Sequence, residues 1–206
     1  MRSLVPRSLS AAACAWLMGA LLLVDGTLAR PAAALGLEET EIAVLQTLLV
    51  HGLDPEQHML VLDAATTGDP AAIAEHLDVA RTLVDELGAP GETLDTWIRR
   101  NAVTATIDHP LDLPVSYHVL DAEERAELFE APEPQVGWSQ FFARYEGAPG
   151  LLRLSRIGLD DSRRHALVYV EHQCGVECGA GRLVHLSRAD DGSWQVNGAV
   201  LVWMVE

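Results

Sequence analysis

The sequence contains no lysine, and its positive charge is low. All 14 basic residues are arginines, and they face 30 aspartates and glutamates. A surface with this excess of acidic groups repels phosphate backbones and anionic headgroups. We therefore expect no binding to nucleic acid or to a membrane surface. The acidic residues are scattered along the chain, which is typical of a solvated surface rather than a docking patch.

The sequence signatures of several common enzyme classes are also missing. The chain has no G-x-S-x-G, G-x-x-x-x-G-K, H-E-x-x-H or complete G-x-G-x-x-G pattern. These patterns are typical of serine hydrolases, phosphate-binding loops, zinc peptidases and dinucleotide-binding folds. A serine triad stays open, because its members need not be close in sequence. The absences favour a protein that is not an enzyme and has no cofactor.

Long apolar runs are scarce as well, and the longest lies near the N terminus, from Leu9 to Val24. It is shorter than the roughly 20 residues that a membrane-spanning helix needs. Arginines precede it and small residues follow, which is the layout of a secretory signal peptide. We expect residues 1–34 to be a signal peptide, cleaved after Ala29 or Ala34. The protein would then be periplasmic or secreted, without membrane insertion after cleavage.

From residue 35 to residue 206 we expect a single α+β domain. In residues 35–133 apolar residues recur at helical spacing, as in Ile42, Leu45 and Leu49, which predicts a mostly helical part. Residues 138–206 contain short runs of branched and aromatic residues separated by turns. This pattern predicts an antiparallel β-meander of about four strands, against which the helical part packs.

Local signals give boundaries within the helical part. A helix is expected to begin at Asp69, which is followed by proline, and to end at Gly88. Another is expected from Glu92 to Arg100, and Asp121 is a suitable cap for a further helix. The run HMLVLDAATT is too short for a helix and predicts a strand.

A series of motifs follows in the last third of the chain. They read W..F...Y, LSR.G, ALVY, CG..CG.G and G.W.V, ahead of a terminal tryptophan. In this order they resemble the C-terminal part of a family of uncharacterised secreted bacterial proteins. The resemblance implies an exported protein with a β-hairpin, and it implies no reaction. Position 159, where the family tends to have phenylalanine, is Leu159. The motif residues are Trp138, Phe141, Tyr145, Leu154, Ser155, Arg156, Gly158, Ala166 to Tyr169, Cys174, Gly175, Cys178, Gly179, Gly181, Gly192, Trp194, Val196 and Trp203.

Two of the three cysteines, Cys174 and Cys178, lie in the glycine-rich stretch VEHQCGVECGAG. An exported protein enters an oxidising compartment, where two thiols four residues apart across a turn can approach to disulfide distance. We predict a disulfide at the tip of a hairpin with arms at roughly Arg164–Gln173 and Gly181–Arg188. Cys14 would be removed with the signal peptide.

The same cysteines allow other chemistry. Together with His172 and His185 they could form a tetrahedral zinc site. The spacing disfavours this site, because His172 and Cys174 are neighbours on one strand face, where a hairpin does not readily bring four ligands around one point. A redox-active pair lacks both the two-residue spacing and a helix N-terminus that lowers a thiol pKa. Free, inert thiols are the remaining alternative.

A second polar cluster lies in the segment HGLDPEQH. His51, Asp54, Glu56 and His58, with Asp63 just beyond, could bind a metal or act as acid and base. Polar residues beside a proline are also typical of an exposed loop, which is the interpretation we favour.

Two functions are compatible with these patterns. The first is an exported, non-catalytic domain that binds a protein partner or small ligand, or that supports the cell envelope. The alternative is a small periplasmic hydrolase or metal-dependent enzyme. Such an enzyme needs several titratable groups within one pocket, so convergence of those groups separates the two functions. Its candidate residues are His51, Asp54, His58, His172 and His185.

Overall fold

A mixed β-sheet lies at the centre of the computed structural model, which describes residues 35–68, 77–130 and 132–205. The expected signal peptide, residues 1–34, and the expected helix start at Asp69 lie outside these ranges. Within them, no helix is long and apolar enough to cross a membrane. The described helices are α1 (Glu39–His51), α2 (Leu77–Glu86), α3 (Gly91–Asn101), α4 (Ala122–Phe129) and α5 (Pro134–Arg144). The described strands are β1 (Leu35–Gly36), β2 (Met59–Asp63), β3 (Ala105–Thr106), β4 (Ser116–Leu120), β5 (Leu151–Leu154), β6 (Gly158–Leu159), β7 (His165–Gly175), β8 (Cys178–Arg188) and β9 (Trp194–Val205).

Seven strands form the main sheet, in the order β4, β2, β5, β7, β8, β9, with β6 also paired to β7. The strands β4, β2 and β5 are parallel to one another, whereas β5, β7, β8 and β9 are antiparallel. The short strands β1 and β3 form a separate parallel pair.

The α+β class is therefore confirmed. The expected meander corresponds to the antiparallel strands β5, β7, β8 and β9, but the expected total of about four strands is too small, because these strands belong to a mixed sheet of seven. β2 and β4 come from the part that we expected to be mostly helical, and they extend the sheet in parallel. β2 reads MLVLD, an almost continuous apolar run that is typical of a strand covered on both faces. The helices are not confined to the first part either, because α5 extends past residue 138.

Several local predictions are confirmed. The predicted strand contains β2, and the helix predicted from Glu92 to Arg100 lies within α3. Gly88 follows the end of α2 with φ +63°, a conformation that glycine adopts without the strain of a side chain. The Asp121 carboxylate accepts hydrogen bonds from two backbone amides in the first turn of α4.

The two faces of the sheet carry different helices. We call one the α1 face, because α1 packs there; the apolar side chains on it form one core. On the other, the helix-pair face, α4 and α5 pack near β2 and β5, and α2 and α3 pack near β7 and β8. The α1-face core includes Val44, Leu45, Leu48, Leu49, Leu60, Leu62, Leu154, Val168, Val184 and Leu186.

A buried ion-pair cluster fixes the beginning of α1. The side chain of Glu41 is fully buried and receives the Arg156 guanidinium through Nε at 3.3 Å and Nη2 at 3.2 Å. Arg100 Nη2 lies 2.8 Å from the same carboxylate, and the backbone amides of Glu38 and Ile157 also donate to it. Glu41 thus joins α1 to α3 and to the segment that links β5 to β6.

Candidate functional site

The cysteine hairpin forms where the sequence predicts it. β7 and β8 pair antiparallel and include both predicted arms, except that β7 begins one residue after Arg164. The Cα atoms of Cys174 and Cys178 are 5.0 Å apart across the tip, within the range of a disulfide. The pair is at disulfide distance, and its oxidation in the mature protein stays a prediction.

The four residues of the alternative zinc set do not come together. His172 lies near the hairpin tip opposite Ala180, with Nε2 3.2 Å from the carbonyl oxygen of Pro149. His185 lies far along the same ladder, opposite Leu167, with Nδ1 3.1 Å from the Leu87 carbonyl oxygen. In residues 35–68, 77–130 and 132–205, no three histidines, cysteines or acidic residues are grouped to hold a metal ion.

The polar cluster spans the last residue of α1, His51, and the exposed loop that follows. His51, Asp54, Glu56 and His58 are all exposed, and the Asp54 carboxylate accepts a hydrogen bond from the Glu56 amide at 2.9 Å. This contact closes a local turn, as an Asx turn does.

Asp63 does not belong to that loop. It is buried at the end of β2 on the helix-pair face, where Oδ2 lies 3.4 Å from Arg153 Nε and 3.8 Å from Arg125 Nε. Arg153 also reaches Glu171 on β7 at 3.4 Å. Asp63 Oδ2 and Arg153 Nε have no hydrogen-bond partner within the described part of the chain. The sequence does not predict that Asp63, Arg153 and Glu171 come together, because they lie on three different strands.

Two histidines form a pair on the helix-pair face. His165 Nδ1 lies 3.0 Å from His185 Nε2, and the rings stack with centroids 5.3 Å apart. The Leu87 carbonyl accepts from His185 Nδ1, so Nε2 of His185 is left to accept from His165. Burial lowers the pKa of His185, which favours the neutral ring. The pair connects the end of α2 to the sheet.

An apolar cavity of about 330 Å³ lies between the end of α1 and the α1 face of the sheet. Its walls are side chains from α1, β2, β5, β7 and β8, and its remaining lining is polar, glycine or proline. The apolar wall residues are Leu48, Leu49, Leu60, Leu152, Val170 and Val184; the others are Gly52, Gln57, Pro149, His172 and Arg182.

The position of His172 at this cavity is held by its neighbours. Its Nε2 contacts the Pro149 carbonyl, and Gly150 lies beside its ring with φ +150°. A Cβ atom on Gly150 would be 2.8 Å from His172 Nε2 and would overlap the Gln173 carbonyl. Gly150 therefore permits the close approach of the β5 entry to β7.

Arg182 is the charged residue of the cavity lining. It is exposed, and it makes no ion pair or side-chain hydrogen bond with any residue that the structure describes. On β8 it shares a face with the apolar Val184 and Leu186. The sequence patterns considered above do not identify Arg182, although an arginine in line with the core positions of a strand indicates an unusual site.

The cavity is thus an apolar space with one arginine at its boundary. No protein-family model, curated protein or solved structure matches the chain. The likeness of the motifs to exported bacterial proteins accordingly stays a prediction.

Proposed function

We propose that the protein is an exported, non-catalytic binding domain that takes a small, mainly apolar ligand into the cavity beside α1. The observation that carries this proposal is the apolar wall, which five elements of the fold build together. Its volume, about 330 Å³, is at the lower end of the range typical of small-molecule sites. A ligand with a short hydrocarbon part fits such a space.

The positions of the histidines and of Asp54 support binding over catalysis. Of the five residues considered for a hydrolase or metal enzyme, only His172 lines this cavity. His185 bonds to His165 and Leu87 elsewhere, and His51, Asp54 and His58 are exposed at the end of α1 and in the loop that follows. A nucleophile, a base and an orienting group within hydrogen-bond reach would be required for hydrolysis.

The proposal also includes export of the protein and oxidation of Cys174 and Cys178 to a disulfide. The layout of residues 1–34 favours secretion, and the cysteines at disulfide distance suit an oxidising compartment. The crosslink would close the hairpin two residues beyond His172, so it would limit movement of β7 where that strand borders the cavity.

Filling the cavity tests this function. We expect the protein beginning at residue 35 to bind 1-octanol, measured by calorimetry. Val170→Phe places a ring in the wall and should weaken binding at least tenfold, because the ring takes the ligand's space. Val79→Phe adds the same ring at an exposed position of α2 and should leave the affinity unchanged.

Circular dichroism on each variant separates loss of binding from loss of fold, since overpacking costs about 1–3 kcal/mol. Octanol binding that Val170→Phe leaves intact would place the ligand elsewhere. Failure of the folded parent protein to bind octanol at millimolar concentration would refute the proposal.

A further inference from the structure

We propose that the ligand is an amphiphile with one anionic head group, which Arg182 binds at the boundary of the cavity while the apolar part enters it. This inference rests on the proposed function and adds the chemical class of the ligand. The Arg182 guanidinium lies beside the cavity in a chain with an excess of acidic residues.

Arg182 has no counter-charge in the sheet. Its partners across the two neighbouring strands are Val170 on β7 and Leu201 on β9. Directly opposed residues are the nearest neighbours on a sheet face, so a carboxylate there would be the obvious structural partner. Apolar residues occupy both places.

Six of the ten other arginines that the structure describes have acidic partners, and Arg99, Arg163 and Arg188 donate hydrogen bonds to uncharged oxygen atoms. Among the described residues, Arg81 and Arg182 have neither kind of partner. Six form ion pairs with aspartate or glutamate, whereas Arg182 forms none with the described residues. In a chain with more than twice as many acidic as basic residues, a guanidinium beside a cavity and without a carboxylate is available to an external anion. The six are Arg100, Arg125, Arg144, Arg153, Arg156 and Arg164.

The chemistry of the two parts of the site is complementary to an amphiphile. Arginine binds carboxylate or sulfate oxygens through paired N–H donors, and its aliphatic stem packs along apolar surface while the guanidinium stays in water. Arg182 lines the same cavity as Val170 and Val184. A hydrocarbon chain in the cavity therefore leads a terminal anion toward the guanidinium.

The test compares probes with the same chain and different heads, using the protein from residue 35 onward. We expect octanoate and octyl sulfate to bind at least fivefold more tightly than 1-octanol, and octylammonium more weakly than octanol. Arg182→Gln should remove the preference for the anions and leave octanol affinity within twofold of the parent. Arg182→Lys should retain part of the preference, because it keeps the charge and loses the paired donors.

Arg188→Gln is the matched control, since Arg188 lies on the same strand, is exposed and does not line the cavity. It should leave all affinities unchanged. Equal binding of octanoate and octanol by the parent protein, or an anion preference that survives Arg182→Gln, would refute this inference while leaving the apolar binding function standing. A preference for octanoate over octyl sulfate would identify the anion as a carboxylate, and the reverse would identify a sulfate-like head. Absence of binding by every probe would remove the proposed function and this inference with it.

Discussion

The α1 face and the helix-pair face of the same sheet are covered in different ways. One helix of 13 residues, about 20 Å long and about 10 Å across, packs on the α1 face. The helix does not cover this face alone, because Ile107 and Leu111, from the segment after β3, belong to the same core. On the helix-pair face, two pairs of helices share the coverage. The cavity lies on the face that has the single helix.

The buried charges on the two faces differ as well. Glu41, which holds α1, has two guanidiniums and two backbone amides around its carboxylate. Asp63 on the helix-pair face accepts one hydrogen bond, from the Ala65 amide, while Oδ2 has only the longer ion pairs with Arg153 and Arg125. The Glu41 carboxylate on α1 thus has more hydrogen bonds and closer ion pairs than the Asp63 carboxylate. This comparison indicates that α1 depends on its ion pairs more than the helix pairs depend on theirs.

Two isosteric substitutions test that difference and should have the largest effects. Glu41→Gln keeps the shape of the side chain and removes the charge between Arg100 and Arg156. We expect it to lower the free energy of unfolding by about 3–5 kcal/mol, as loss of one partner of a buried pair does. Asp63→Asn should cost less, about 1–3 kcal/mol, because Arg153 and Arg125 remain partly exposed and can be hydrated.

Urea unfolding of the two variants and the parent measures both values. Glu127→Gln serves as a control, since that carboxylate is exposed and its ion pair with Arg144 is weak at 3.4 Å. If Asp63→Asn proves as costly as Glu41→Gln, the two anchors are equivalent and the comparison of the faces is wrong.

The cysteine pair offers a second, smaller test at the cavity end of the α1 face. Replacing Cys174 and Cys178 together with serine should lower the free energy of unfolding by about 2 kcal/mol, because the closed loop is short. The fold should survive, and octanol binding should weaken less than in Val170→Phe. Thiol titration of the unreduced protein checks the premise. Two reactive thiols with one equivalent of zinc would contradict the disulfide.

The elements that the sequence predicts are those with local signals. The spacing around Glu92–Arg100, the cap at Asp121 and the glycines around the cysteines each act within a few residues, and the structure follows them. The α+β class and the hairpin of β7 and β8 are predicted from such signals.

Contacts between distant segments are what the sequence does not predict. Glu41 and Arg156 are 115 positions apart, and nothing in either segment identifies the other as its partner. β2 joins the sheet between β4 and β5, although its own sequence indicates only that it is a strand. The cavity needs five elements to be in place. Only Arg182, which interrupts the apolar face of β8, could have been singled out from its own strand.

The smallest effect that we predict depends on pH and acts on the helix-pair face. Burial lowers the pKa of His185 below 6.5, and the nearby His165 lowers it further, while the Leu87 carbonyl and Asp160 act in the opposite direction. As pH falls through 6.5, the unfolded chain binds a proton that the folded chain does not bind. Stability should therefore fall from pH 7.5 toward the lower pKa of the folded state, below which this contribution is lost.

His185→Gln tests this pH dependence, because it removes the titratable ring and keeps a donor for the Leu87 carbonyl. We expect the parent to lose more of its free energy of unfolding than His185→Gln between pH 7.5 and pH 5.5, measured by urea unfolding in one buffer system. Asp160, whose pKa lies below 3.8, titrates outside this window and does not disturb the difference. Since α1 lies on the opposite face of the sheet from His185, Glu41→Gln should retain the pH dependence of the parent over this range. Equal losses in the parent and in His185→Gln would show that the buried ring does not couple protons to folding.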